Sequence, residues 1–158
     1  MPAFTVTGSG FVNGDTVGSL SGTASFSTSA TAASAPGAYP VSPSGLSSAN
    51  YTITFVAGTL TITTADTAVA LSTSPNPSNP NQNVVITAVV SAAAPGAGTP
   101  SGTVQFFDAG VSLGTATLSN GVATLTRKFK KGSHPLTAVY SGNTNFNGST
   151  GASTHSVP

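Results

Sequence analysis

The sequence predicts an all-β chain made of two unlike sheet-forming units. Three observations carry that prediction. Apolar and hydroxyl residues alternate in Tyr51-Thr52-Ile53-Thr54-Phe55, in Leu60-Thr61-Ile62-Thr63 and again in Thr103-Val104-Gln105-Phe106, which is the pattern of antiparallel sheets with one wet face. Gly, Pro and Asn cut these runs at short intervals. Helical periodicity is missing: the Ala-rich stretch 30–35 is broken by Ser and Thr and ends at Pro36-Gly37.

In the first region the pattern places strands at Ala3–Gly8, Thr23–Thr28, Ala38–Val41, Tyr51–Val56 and Thr59–Thr63. Phe4 and Val6 share one face, as do Tyr51, Ile53 and Phe55. Asn13-Gly14 is a turn signal, because both residues tolerate positive φ. Ala57-Gly58 is read as a two-residue hairpin between the last two strands. Thr64-Ala65-Asp66-Thr67 then reads as a short linker, which gives domains at 1–64 and 65–158, placed end to end with restricted bending.

The second region carries seven strand patterns: Thr67–Thr73, Asn83–Ser91, Thr103–Asp108, Val111–Leu118, Val122–Thr126, Leu136–Tyr140 and a last one near Ala152–Val157. Pro75-Asn76-Pro77-Ser78-Asn79-Pro80 reads as a rigid extended crossover, and Asn120-Gly121 as a tight turn. Seven short strands at this spacing predict an immunoglobulin-like β-sandwich. The chain has neither Cys nor Trp, so its core must be aliphatic and aromatic, with Phe106, Leu125 and Tyr140.

Composition narrows the function. Charged residues make up 4% of the 158 residues and hydrophobic ones 38%, with a mean hydropathy of +0.20. Disorder pairs low hydrophobicity with high charge, and this chain has neither. A net charge of +1 gives no field to steer nucleic acid, so no nucleic-acid partner is expected. Without Cys there is no disulfide framework and no thiolate metal site. No apolar run approaches the ~20 residues of a membrane helix, so no membrane insertion is expected in this segment. Met1-Pro2-Ala3 leads into strand pattern without a signal-peptide profile, so if the protein is extracellular the chain is expected to be a segment of a longer one.

Particular residues carry a resemblance. Pro75-Asn76-Pro77, Gly102-Thr103-Val104-Gln105-Phe106-Phe107-Asp108, Gly132-Ser133-His134 and Ala138-Val139-Tyr140-Ser141-Gly142 make the second region similar to the bacterial Ig-like (Big_3-type) repeats of large surface proteins. Gly10-Phe11-Val12-Asn13-Gly14-Asp15, Leu20-Ser21-Gly22, Gly37-Ala38-Tyr39-Pro40-Val41, Asn50-Tyr51 and Gly58-Thr59-Leu60-Thr61-Ile62 make the first resemble the MBG-type β-rich repeats of bacterial adhesins. That family normally has a further strand ahead of Pro2-Ala3-Phe4, so the first domain reads as lacking its first strand. The resemblance implies a non-catalytic repeat at the bacterial cell surface or outside the cell, with adjacent repeats of the same polypeptide as partners and no cofactor.

Candidate chemistry is sparse. Arg127, Lys128, Lys130 and Lys131 are the only basic residues apart from the histidines, and they surround Phe129. With Phe129 packed at the core edge and four cations splayed outward, they form a polyanion- or glycan-binding candidate. A solvated turn is the plainer reading of the same residues. His134 and His155 have no suitable neighbour in sequence, and His134 matches a position of the resembled family at the start of a strand, which favours a structural role. Asp15, Asp66 and Asp108 are the only acids. They lie in separate loops, unsuited to paired-carboxylate catalysis, and no catalytic residue or metal ligand is assigned. Asp66 with Asn143 to Asn147 offers oxygens to calcium, but Asx-turn chemistry is the simpler account.

These readings predict a non-catalytic stalk, spacer or adhesive segment. The edge at Ala3–Gly8, which has no Lys, internal Pro or charge to blunt it, predicts self-association into a homo-oligomer or filament, with Ala152–Val157 as one candidate donor strand. A glycan-binding module built on Arg127–Lys131 is the alternative.

Overall fold

The computed structural model describes residues 2–158. It divides into two compact units, one running to Thr63 and one from Thr64 to Pro158. Apart from a three-residue 3-10 turn at Val17–Ser19, the regular structure among the described residues is all β. No helix among them is long and apolar enough to cross a membrane.

The first unit contains β1 (Ser21–Thr28), β2 (Gly37–Ser47) and β3 (Gly58–Ile62) in one antiparallel sheet of order β1-β2-β3. β2 runs well past the predicted Ala38–Val41, through Pro40 and Pro43, although it is the central strand. The β1–β2 ladder slips between Gly22 and Ser25. Gly22 has φ +90° there, and a Cβ on it would lie 2.2 Å from the Gly45 carbonyl oxygen. Only glycine permits that approach.

Two predicted strands of this unit are not ladder strands. Ala3–Gly8 and Tyr51–Val56 fall outside every strand. The Ala57-Gly58 hairpin is also absent, because β3 pairs with β2, from Gly37 opposite Ile62 to Val41 opposite Gly58. Alternation in the sequence marks a strand-like chain but does not name its partner. Alternation is still visible in burial: Phe4 and Val6 are half-buried between exposed neighbours, and so are Tyr51 and Ile53, whereas Phe55 is exposed. The Asn13-Gly14 turn forms as expected, with both φ values positive and the Asp15 N–H donating to the Val12 carbonyl at 3.1 Å.

The second unit contains β4 (Thr67–Ser74), β5 (Asn83–Ala92), β6 (Thr103–Asp108), β7 (Val111–Thr117), β8 (Val122–Lys128), β9 (Gly132–Tyr140) and β10 (Ser149–Val157). All seven strands read from the sequence are present. They form two antiparallel sheets, β4-β5-β8 and β10-β9-β6-β7. Val84, Ile86 and Ala88 of β5 face Val104, Phe106, Leu136, Ala138 and Tyr140 of the other sheet in one buried core, with Leu125 packed against it. The Tyr140 hydroxyl satisfies itself by donating to the Ser101 carbonyl at 2.9 Å. β4 and β5 pair directly, so Pro75–Pro80 is a loop between neighbouring strands rather than a crossover.

The residues read as a linker belong to the second unit. The Ala65 N–H donates to the Asn145 carbonyl at 2.9 Å, and the Asn147 N–H donates to the Ala65 carbonyl at 2.8 Å. Asn147 completes the clasp with its side chain, accepting from the Thr64 hydroxyl and donating to Asp66 Oδ1, each at 2.7 Å. Nothing in the composition of residues 64–67 marks them as docked, because their partners lie some eighty positions downstream.

Candidate functional site

The basic turn follows β8. Phe129 is buried, as expected, and Lys128, Lys130 and Lys131 are exposed. Arg127 departs from the expected outward splay. Its Nε donates to the Leu113 carbonyl at 3.0 Å, a second guanidinium nitrogen reaches the same oxygen, and Nη1 donates to the Thr126 carbonyl at 2.8 Å. The cause lies in β7. Phe106 pairs with Gly114 and Phe107 with Ser112, which leaves Leu113 as the extra residue of a bulge and its carbonyl free for another donor. A guanidinium, with several donors in a fixed fork, suits that task. Arg127 therefore straps the end of β8 to the edge strand β7.

Phe129 sits between two histidines. Its ring lies 4.7 Å from that of His134 and 4.8 Å from that of His155. Antiparallel register sets His155 of β10 directly opposite His134 of β9. His134 Nδ1 lies 2.7 Å from Asp108 Oδ2, and its Nε2 donates to the Lys130 carbonyl at 2.9 Å. Fully buried His155 has Thr73 Oγ1 3.2 Å from Nδ1 and Ser78 Oγ 3.0 Å from Nε2. Burial lowers the pKa of His155, and nearby His134 adds to that effect. Burial also opposes charge on His134, but the Lys130 carbonyl and the Asp108 carboxylate outweigh it and raise its pKa.

This cluster is chemically closed. Every ring nitrogen of both histidines has a partner within the fold, and His155 with its Ser78 hydroxyl is buried away from solvent. Sequence spacing missed the grouping because its members come from β4, the following loop, β6, β9 and β10.

Each of the three acids holds a structural neighbour. Asp15 accepts from the Tyr51 hydroxyl at 2.6 Å, and this hydrogen bond holds the phenol above its ordinary pKa. Asp66 accepts from Asn147, and Asp108 faces His134. The Asn143–Asn147 loop is an Asx turn, as the simpler reading expected: Asn143 Oδ1 accepts from the N–H groups of Asn145 and Phe146 at 2.8 and 3.0 Å.

The first unit holds a different candidate, an open cleft of about 680 Å³ bounded by Val6–Phe11 on one side and Tyr51–Gly58 on the other. A smaller lobe of about 270 Å³ continues it between Phe4–Thr7 and Val56–Leu60. Val17, Leu20, Pro43 and Leu46 line the larger lobe, and Phe26 and Val41 the smaller one. Both lobes share Val6, Thr7, Pro43, Val56 and Gly58.

A three-plus-four antiparallel sandwich with an aliphatic and aromatic core defines an immunoglobulin-like module, here following a smaller β-rich unit. Family comparison specifies both. The model for the bacterial Ig-like domain (group 3) matches residues 71–157, and that for the MBG domain (YGX type) matches residues 1–61. The chain belongs to the bacterial Ig-like domain family and carries an MBG domain ahead of the Ig-like one. No curated protein and no solved structure matches it. Domains of these two kinds fit a segment of a bacterial surface protein and are typically non-catalytic.

Proposed function

We propose that the chain is a spacer and adhesive segment at the bacterial cell surface, working by geometry rather than by catalysis, and that it associates with further copies through open strand edges. The clasp of residues 64–67 carries the spacer reading. It removes those residues from any flexible linker and leaves Thr63 alone between the end of β3 and the first docked residue. A short, docked connection is what a spacer built of successive domains needs. Limited proteolysis should leave residues 64–67 uncut in the wild-type chain and open them to cleavage once Asn147→Ala removes the clasp. Residues 64–67 cut as readily in the wild type count against the reading.

A second reading has an observation of its own. Lys128, Lys130 and Lys131 are exposed, and the one acid–base pair among the described residues joins Asp108 to His134. The three ammonium groups are thus unpaired and available to a surface glycan or polyanion. Binding to heparin-like chains should weaken as salt rises, because it works through counterion release, and neutral glycans should not bind. Binding that survives Lys→Gln replacement at all three positions would sink this reading.

A further inference from the structure

We infer that the cleft of the MBG unit is a strand-acceptor site, and that its occupant is the Ala3–Gly8 segment of a second copy of this chain. This rests on the self-association reading above and gives it a site and a donor.

The shape of the cleft is that of a missing strand. Phe4–Thr7 lines it together with Val56–Leu60, and Val6–Phe11 together with Tyr51–Gly58. The two rims therefore run antiparallel along one slot. Residues 4–11 of one rim and 51–57 of the other are outside the ladders of the sheet, and residues 58–60 continue the second rim as part of the edge strand β3, so both rims offer backbone N–H and C=O groups that an inserted strand can satisfy. The lining below is apolar: Val17, Leu20, Phe26, Val41, Pro43 and Leu46. Among the described residues of this unit only Ala30 and Val41 are buried, which is the state of a core with one cover lacking. Alternate side chains of an extended strand would reach that floor.

The chemistry of the slot selects the occupant. No charged residue lines either lobe, so a charged segment would lose solvation without gaining a partner. An uncharged strand alternating apolar and small hydroxyl residues fits. The chain has two such segments free of a ladder, Ala3–Gly8 and Tyr51–Val56. Tyr51 is tethered through Asp15 and stacks edge-on against Phe11 at 5.5 Å. Residues 3–8 make no side-chain hydrogen bond and are held by contacts such as Phe4 on Phe26 at 5.7 Å, so they are the segment that can be donated. The C-terminal strand expected as a donor is excluded, because all of Ser149–Val157 is paired with β9.

Sedimentation equilibrium of the whole chain, from micromolar to millimolar concentration, tests the inference. The mass should rise with concentration, and an excess of synthetic peptide Pro2–Ser9 should return it to monomer. The same peptide with Val6→Pro, which lacks one backbone donor, should not. Thr54→Lys alters an exposed rim position and should weaken association about tenfold or more, by placing charge on a strand edge. Hydrogen exchange on the associated wild type should show new protection at residues 5–7 and 52–55. A monomer throughout, or association indifferent to both the peptide and Thr54→Lys, overturns the inference. Neither result touches the spacer reading, which proteolysis at residues 64–67 decides.

Discussion

The Ig-like unit buries fourteen hydrophobic side chains in one core, whereas the described residues of the MBG unit include only two that are buried, Ala30 and Val41. The composition of the two halves does not account for this: Phe4, Phe11, Phe26, Tyr51, Ile53 and Leu60 are as apolar as the second core, yet all remain at least partly exposed. The difference lies in the edges. In the second unit Arg127 closes one side, across β7 and β8. On the other side β4 lies against β10, close enough that a Cβ on Gly151 would be 2.4 Å from the Val69 carbonyl oxygen. The first unit has no corresponding closure over Ala3–Gly8 and Tyr51–Val56. A sheet faces the same apolar effect in both units, but only a closed one can convert it into burial.

The largest expected effect separates the two cores. Phe106→Ala should destabilise the Ig-like unit by about 3–5 kcal/mol, because a fully enclosed aromatic leaves a cavity. Phe26→Ala, with its ring half-exposed, should cost the MBG unit clearly less, about 1–2 kcal/mol on the transfer term alone. Hydrogen exchange resolved by unit measures both, and equal losses would break the comparison.

Arg127→Ala comes next. It strips the partners from the bulged Leu113 carbonyl, and about 1–3 kcal/mol of Ig-like stability should go with them. Lys128→Ala, one residue away and exposed, should stay within about 0.5 kcal/mol. Denaturant midpoints of the two variants sharpen the claim that the strap, and not the basic charge, closes that side.

The smallest effect is a dependence on pH confined to the Ig-like unit. His155 has a folded pKa below the usual 6.5, so the unfolded chain binds its proton more readily. Its contribution is whole above pH 6.5 and fades as pH falls toward the folded value. His134, raised above 6.5, acts in the opposite sense: its contribution is whole below pH 6.5 and fades as pH rises through the folded value. Asp108 raises both histidines. Asp108→Asn should therefore steepen the acid loss and remove part of the alkaline one, as read from melting temperature across pH 4 to 8. A profile unchanged by Asp108→Asn would show that the histidine cluster is electrostatically inert.

The sequence was most readable where partners are fixed by local pattern. β4 to β10 follow from alternation and turn residues, and the Asn13-Gly14 and Asn120-Gly121 turns follow from two residues each. It was least readable where partners are distant. The pairing of β3 with β2, the Asn147 clasp and the grouping of Thr73, Ser78, Asp108, His134 and His155 all depend on which strands the fold sets side by side. Arg127 shows the same limit on a small scale. Four cations in five positions look alike until a bulge in another strand frees one carbonyl.

The alignment of β4 with β10 has a mechanical consequence. Thr67 meets Ser149, Val69 meets Gly151 and Thr73 meets His155, a constant offset that makes the first and last strands of the Ig-like unit run parallel. Its chain ends therefore leave from opposite ends of that pair. Tension applied to the two ends of this unit would slide β4 along β10 in shear, loading the Thr67–Ser149, Asn76–Thr154 and Thr73–His155 contacts together instead of peeling them one after another. With the parallel bridge from Ala65 to Phe146 in the same path, the unit resists traction with its whole side at once.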